Sequence, residues 1–189
     1  PFLLISRDAI QFNSTSDCAL DTSVYFEPNL DGLPLEQIKS CLAAYRGVFL
    51  EGFACNSAPF EEWVVIKREQ ISQRVLLALR RLTTHYEKNG EQDQVEIYAR
   101  KQIVLEPWDE LAHQQLMRAL ARNGRRSAAL KQYEICRRAL KDELDVDPSR
   151  ETVELYQAIR DDKLDASKPK HENSKNPLAL STIPSPLTS

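Results

Sequence analysis

Glycine is scarce in this chain, five residues in 189, and long β-branched runs are missing. Both shortages argue against an all-β sandwich, which needs many tight turns and many short strands. The four cysteines (Cys18, Cys41, Cys55 and Cys136) form no CxxC pair and have no histidine at ligand spacing. A disulfide framework and a zinc site are thereby disfavoured, and free thiols in a reducing cytoplasm fit better. There is no excess of positive charge: the formal net charge is −3 and the pI about 5.7, so the chain as a whole lacks the electrostatic footprint of a nucleic-acid binder. The apolar start, Pro1 to Ile5, gives way to Ser6-Arg7-Asp8. It is too short for the apolar region of a signal peptide and far too short to cross a bilayer. The expectation is a soluble, cytoplasmic protein with no membrane contact.

What is present is a core-forming apolar fraction of 42% and three stretches of different character. Residues 1–30 carry Phe2-Leu3-Leu4-Ile5, a polar break, then Ala9-Ile10-Gln11-Phe12, which predicts a β-hairpin. A lone hairpin is not stable in water, so this piece looks like the end of a domain cut through at Pro1. From 35 to 163 the pattern is helical. Ile71, Val75, Leu79, Leu82 and Tyr86 fall at steps of three and four, as do Leu116, Ala119 and Leu120, and again Ala129, Tyr133, Cys136 and Leu140. Asn89-Gly90 and Asn123-Gly124 supply helix stops, Pro107 follows a helix ending near Leu105, Asp109 caps the next, and Asp147-Pro148 offers an acidic cap with proline in the first turn. From 164 to 189 the composition turns to Lys, Pro, Ser, Asn and Thr, the signature of a disordered tail or linker.

The helical stretch repeats. Gly90 and Gly124 are 34 residues apart, the period of the tetratricopeptide repeat. At the same offset Leu82 matches Leu116, Tyr86 matches Leu120, Val95 matches Ala129 and Ala99 matches Tyr133. These are the buried positions of two antiparallel helices, each pair unable to bury its own apolar face, so neighbours must stack. The large and small residues are exchanged at Ala99 and Tyr133, and Gln102 stands where a small apolar residue is usual. A non-repeating helical bundle is the alternative. Pro59 to Ile71, anchored by Phe60, Trp63 and Ile66, is expected as one capping layer, and Thr152 to Ile159 as the other.

Several ordered motifs then resemble a known family. Tyr45-Arg46-Gly47-Val48-Phe49-Leu50-Glu51-Gly52-Phe53, Phe60-Glu61-Glu62-Trp63 and Lys67-Arg68-Glu69 are similar to the opening of the bacterial transcriptional activator domain. Pro107 to Ala112, Leu116 to Leu120, Asn123-Gly124-Arg125, Ala128-Ala129-Leu130, Tyr133 and Leu140 to Pro148 continue the likeness over residues 35–162. One departure is Asp145, where the family usually has glycine. The resemblance implies an all-α, right-handed repeat related to tetratricopeptide proteins. In the Streptomyces antibiotic regulatory protein family and its relatives, this domain follows a winged helix-turn-helix. Phe2 to Phe12, Leu20-Asp21 and Phe26 look similar to the wing and exit of that domain, which places the DNA-reading helix upstream of Pro1.

No catalytic constellation stands out. Gly47 and Gly52 have the spacing of P-loop glycines, but Phe53 replaces the lysine. His85 and His113 lie on predicted helices without a nucleophile partner and read as surface or groove residues, while His171 belongs to the tail. Glu61-Glu62 and Asp161-Asp162 read as solvated helix faces. The expectation is therefore no enzyme, no catalytic residue, no cofactor and no metal. Two surfaces are candidates for binding. Arg81, His85, Gln115 and Arg122 are placed to line the inner groove of the repeats, where such folds take a peptide or helix. Arg118, Arg125, Arg126, Arg137 and Arg138, with Arg122, Lys131 and Lys141, form a basic cluster opposed locally by Glu134 alone. It suits DNA phosphate or an acidic partner. The plainer reading is a solvated face balanced by Asp142, Glu143, Asp145 and Asp147. The leading functional reading is a regulatory and oligomerisation module of a transcription factor. It would dimerise to pair DNA-reading domains, and present a helical surface to RNA polymerase or to another domain of its chain. A plain protein-binding repeat scaffold is the alternative.

Overall fold

In a computed structural model of the chain, the described residues are 2–7, 10–13, 15–17 and 32–164. Leu20, Asp21 and Phe26, Cys18, and the tail from 165 with His171 lie outside them. Two short strands, β1 (Leu3–Ile5) and β2 (Ile10–Phe12), pair antiparallel with Leu3 opposite Phe12 and Ile5 opposite Ile10, which is the expected hairpin. Phe2, Leu3, Leu4 and Ile5 are all exposed.

Six helices follow among the described residues: α1 (Leu35–Ala44), α2 (Ala58–Asn89), α3 (Gln92–Leu105), α4 (Glu110–Arg122), α5 (Arg126–Leu144) and α6 (Arg150–Arg160). The fold is an all-α helical repeat. The second half of α2 with α3 makes one hairpin, and α4 with α5 makes the next. The turns between them are set by backbone chemistry. Gly90 and Gly124 sit at φ 75° and 74°, and each lets the following amide reach back into the last helical turn, Glu91 N to Tyr86 O at 3.0 Å and Arg125 N to Leu120 O at 2.8 Å. Asp109 caps α4 by accepting from the Ala112 amide at 3.1 Å.

The repeat positions are where the core lies. Leu82, Tyr86, Val95 and Ala99 of the first pair are buried, as are Leu116, Leu120 and Ala129 of the second. Tyr133 is half-buried and stacks on Tyr156 of α6 with ring centroids 4.2 Å apart. Burying a leucine completely is worth roughly 1.5–3 kcal/mol, so this ladder dominates the stability of the stack. Gln102 is also buried, and it is satisfied: its Nε2 donates to Thr83 Oγ1 at 2.6 Å, and the Thr83 hydroxyl donates to Leu79 O at 2.8 Å.

Three expectations need correction. Pro59 to Ile71 is no separate layer: it is the first half of the single 32-residue helix α2. Trp63 and Ile66 are exposed there, while Val64 and Ile71 are buried. Counting back seven residues from Ile71 arrives at Val64, which is where the apolar stripe continues. The covering layer comes from α1, whose Ile38 packs with Ala78, Leu82 and Tyr86, and from the loop after it. That loop is pinned by Arg68, which donates to Phe49 O at 2.8 Å and Leu50 O at 2.7 Å, with the Phe49 ring edge-on to Trp63. Secondly, α6 is capped by Ser149 and not by Asp147; the Ser149 hydroxyl accepts from the Thr152 amide at 3.4 Å, two residues later than expected. Thirdly, His113 is fully buried and is neither a surface nor a groove residue.

Candidate functional site

In stacked helical-hairpin repeats the first helix of each pair lines the inner face, and here those helices are α2 and α4. Residues at steps of four, three and four share a stripe on a helix. Leu77, Arg81 and Lys88 therefore share one on α2, and Leu111, Gln115, Arg118 and Arg122 the matching one on α4. Leu77 and Leu111 occupy the same position of successive repeats, and both are exposed, 43% and 53%. Arg81, Gln115 and Arg122 thus fall on these stripes and His85 beside the first, with a leucine at one end of each stripe and a mixture of cations and polar residues, Thr84 and Gln115 among them, along the rest. Their environments differ. Gln115 is buried and donates from Nε2 to Glu87 Oε2 at 3.0 Å, and Arg118 Nε donates to Glu87 Oε1 at 2.7 Å. Glu87 is thereby a clamp that fixes α4 against α2. Arg81 is half-buried. His85 sits at the edge of the stripe with its Nε2 2.9 Å from Asn89 Nδ2 and its ring edge-on to Tyr86. Arg122 is exposed at the open end.

The basic cluster of α4 and α5 divides into separate tasks. Arg125 reaches Glu96 on α3, which also takes Arg100 at 2.9 Å. Burial alone would raise the Glu96 carboxyl, but hydrogen bonds from Arg125 and Arg100 hold it below the usual range. Arg126 donates to the main-chain oxygens of Ile159 (2.9 Å) and Arg160, the last carbonyls of α6, where a cation is favoured. Arg137 pairs with Glu134 at 2.8 Å, and Arg138 is exposed. The counter-charges for much of this cluster are Glu87, Glu96 and Glu134, spread over three helices. The acidic run after Lys141 supplies one pair, Lys141 to Asp145 at 2.5 Å.

The buried polar centre between α4 and α5 escaped sequence reasoning. His113 Nε2 lies 2.8 Å from Pro107 O, so it carries the proton, and Nδ1 accepts from Gln132 Nε2 at 2.7 Å. Burial depresses the imidazole pKa below its ordinary 6.5. Cys136, also buried, is pushed up to about 12 by burial, which leaves an inert thiol. The repeat offset was the signal that could have found this centre, because His113 is 34 residues after the buried Leu79. Both ring nitrogens are spent on structure. Among the described residues, no group of three or more His, Cys, Asp and Glu could hold a metal ion, and no helix is long and apolar enough to cross a membrane.

The model of one protein family, described as the bacterial transcriptional activator domain, matches residues 34–160, which takes in all six helices. The chain belongs to that family. Its place is in transcriptional regulation, and the family is a regulatory one, not a catalytic one. Neither a curated protein nor a solved structure is similar enough to the chain to count as a match. In this activator domain the residue ending α5 is Asp145, and the backbone there does turn left-handed, φ 54° and ψ 35°. The turn expected of a glycine is thus kept by one of the few other residues that tolerate it.

Proposed function

We propose that this activator domain is the pairing and partner-docking module of a cytoplasmic, DNA-binding transcriptional regulator. DNA would be read by a winged helix of which the Leu3–Ile5 and Ile10–Phe12 hairpin is the closing piece; its exposed Phe2, Leu4 and Ile5 suit strands that pack on a further domain. The observation that carries the docking role is the exposed pair Leu77 and Leu111, repeated one unit apart on the inner face and flanked by Arg81, Arg118 and Arg122. Such a stripe fits an amphipathic helix with an acidic flank, whether from RNA polymerase, from another domain of the regulator or from a second copy. Pairing two weak DNA readers raises occupancy through effective concentration, without new base contacts. A plain repeat scaffold has no use for the hairpin.

The test is the solution mass of the chain across a concentration series, by light scattering after size exclusion, with Leu77→Asp/Leu111→Asp in parallel. A dimer that dissociates on dilution is expected. A monomer at every concentration would remove self-pairing. Reporter transcription by the intact regulator then decides docking: activation unchanged by the double substitution, in a variant with wild-type circular dichroism, would refute the groove.

A further inference from the structure

A cavity lies among the end of α1, the loop that follows it, α2 and α3. It holds about 400 Å³, within the range of small-molecule sites. Its floor is apolar: Leu42, Val75, Leu79 and Leu105, with Tyr45 in the wall. Its rim is cationic, with Arg46, Arg100 and Lys101 set around the exposed Val104. The charges facing this mouth do not cancel. Glu96 is shared between Arg100 and Arg125, and Glu51 stands close to Gly47 on the loop side. Arg46 is exposed and has no hydrogen bond or ion pair among the described residues, and Lys101 engages only the face of Tyr98, 5.6 Å from its centroid. Of the three rim cations only Arg100 is paired, with Glu96, so Arg46 and Lys101 leave an excess of positive charge over Glu51. Burial keeps the Tyr45 phenol protonated well above neutral pH, with Glu51 adding to the effect, so its hydroxyl stays neutral. Val104 completes the mouth as a large apolar side chain, 80% exposed, in the last turn of α3.

We propose that this cavity binds a small amphipathic anion, an apolar body on Leu42, Val75, Leu79 and Leu105 with one acidic head held by Arg46 and Lys101. Apolar burial supplies affinity, and the charge excess selects an acid over a neutral compound of the same shape. Because the site joins the covering loop to α2 and α3, occupancy would tie the N-terminal layer to the first repeat and raise stability by mass action.

The experiment uses the 189-residue chain and two fluorescent probes that differ by one charge, 8-anilinonaphthalene-1-sulfonate and the neutral N-phenyl-1-naphthylamine. Saturable 1:1 binding of the sulfonate is expected, at least tenfold tighter than the neutral probe. Amide shifts on titration should concentrate at residues 42–47, 75–79 and 100–105. Arg46→Ser/Lys101→Ser changes exposed side chains only, and it should weaken the sulfonate about tenfold while leaving the neutral probe within twofold. Equal affinity for both probes, shifts centred on the exposed Trp63 and Ile66 instead, or no saturation would each overturn the proposal.

Discussion

Asp145 and Gly124 do the same conformational job, and exchanging their chemistry separates backbone from side-chain effects. Both end a long helix in the left-handed region, at φ 54° and 74°. A Cβ added at Gly124 would meet nothing within 4 Å, so Gly124→Ala carries no clash and reports the backbone term alone. That term is about 1 kcal/mol for a non-glycine residue forced left-handed. At Asp145 this cost is already present, softened because Asp tolerates the region. Asp145→Gly should relieve most of it. Against the gain stand the extra freedom of glycine in the unfolded chain and the loss of the Lys141 pair. Both partners of that pair are more than half exposed, so it is worth only a few tenths of a kcal/mol. The net expectation is a stabilisation of about 0.5 kcal/mol for Asp145→Gly, against a loss of about 1 kcal/mol for Gly124→Ala. Urea unfolding with matched slopes measures both. If Asp145→Gly were as destabilising as Gly124→Ala, the carboxylate and not the backbone would be setting the turn, and the reasoning would fail.

Leu116→Ala should cost about 3 kcal/mol in the same assay, since Leu116 is fully buried between the second repeat and α6. His113 predicts a pH dependence. Its folded pKa lies below 6.5, so the unfolded chain binds more protons as pH falls through that value, and stability is retained above it and lost below. Unfolding free energy should drop between pH 7 and pH 5, and His113→Leu, which restores the residue found at Leu79, should flatten that slope; an unchanged slope would exonerate the imidazole. Arg126→Ala removes the donor to the Ile159 and Arg160 carbonyls and should cost about 1 kcal/mol. Amide exchange should quicken in α6 before α4, whereas uniform quickening would mean that the arginine does not anchor that helix.

Much of this fold was legible because its punctuation is local. Gly90, Gly124, Pro107 and Asp109 act through φ preference and a single hydrogen bond each, and the 34-residue offset marked the residues that the stack buries. Where reading failed, the deciding physics was not local. Trp63 and Ile66 are large apolar side chains, yet the buried stripe runs through Val64, and the stretch from Pro59 to Asn89 has no glycine or further proline to break one helix. Asp147 looked like a better cap than Ser149 because nothing in the sequence shows that Glu110 Oε1 accepts from the Ser149 amide at 2.6 Å and fixes the entry to α6. The groove candidates could be placed on helices but not resolved into a clamp (Gln115, Arg118) and an open end (Arg122), since that depends on Glu87 from another repeat. The cavity beside Tyr45 left no mark at all: its walls are contributed by residues up to 63 positions apart.

The unbroken course of α2 has a mechanical meaning. At 1.5 Å per residue its 32 residues span about 48 Å. Arg68, ten residues in from its start, holds the covering loop, and Glu87, near its far end, is the clamp to α4. The stretch from Arg68 to Glu87 spans about 28 Å, so a rotation of about 5° at Arg68 moves the clamp by roughly 2.5 Å. Any event that shifts the loop, including filling of the neighbouring cavity, is thus delivered to the α2–α4 seam as a displacement of a stiff body, with no hinge between them to absorb it.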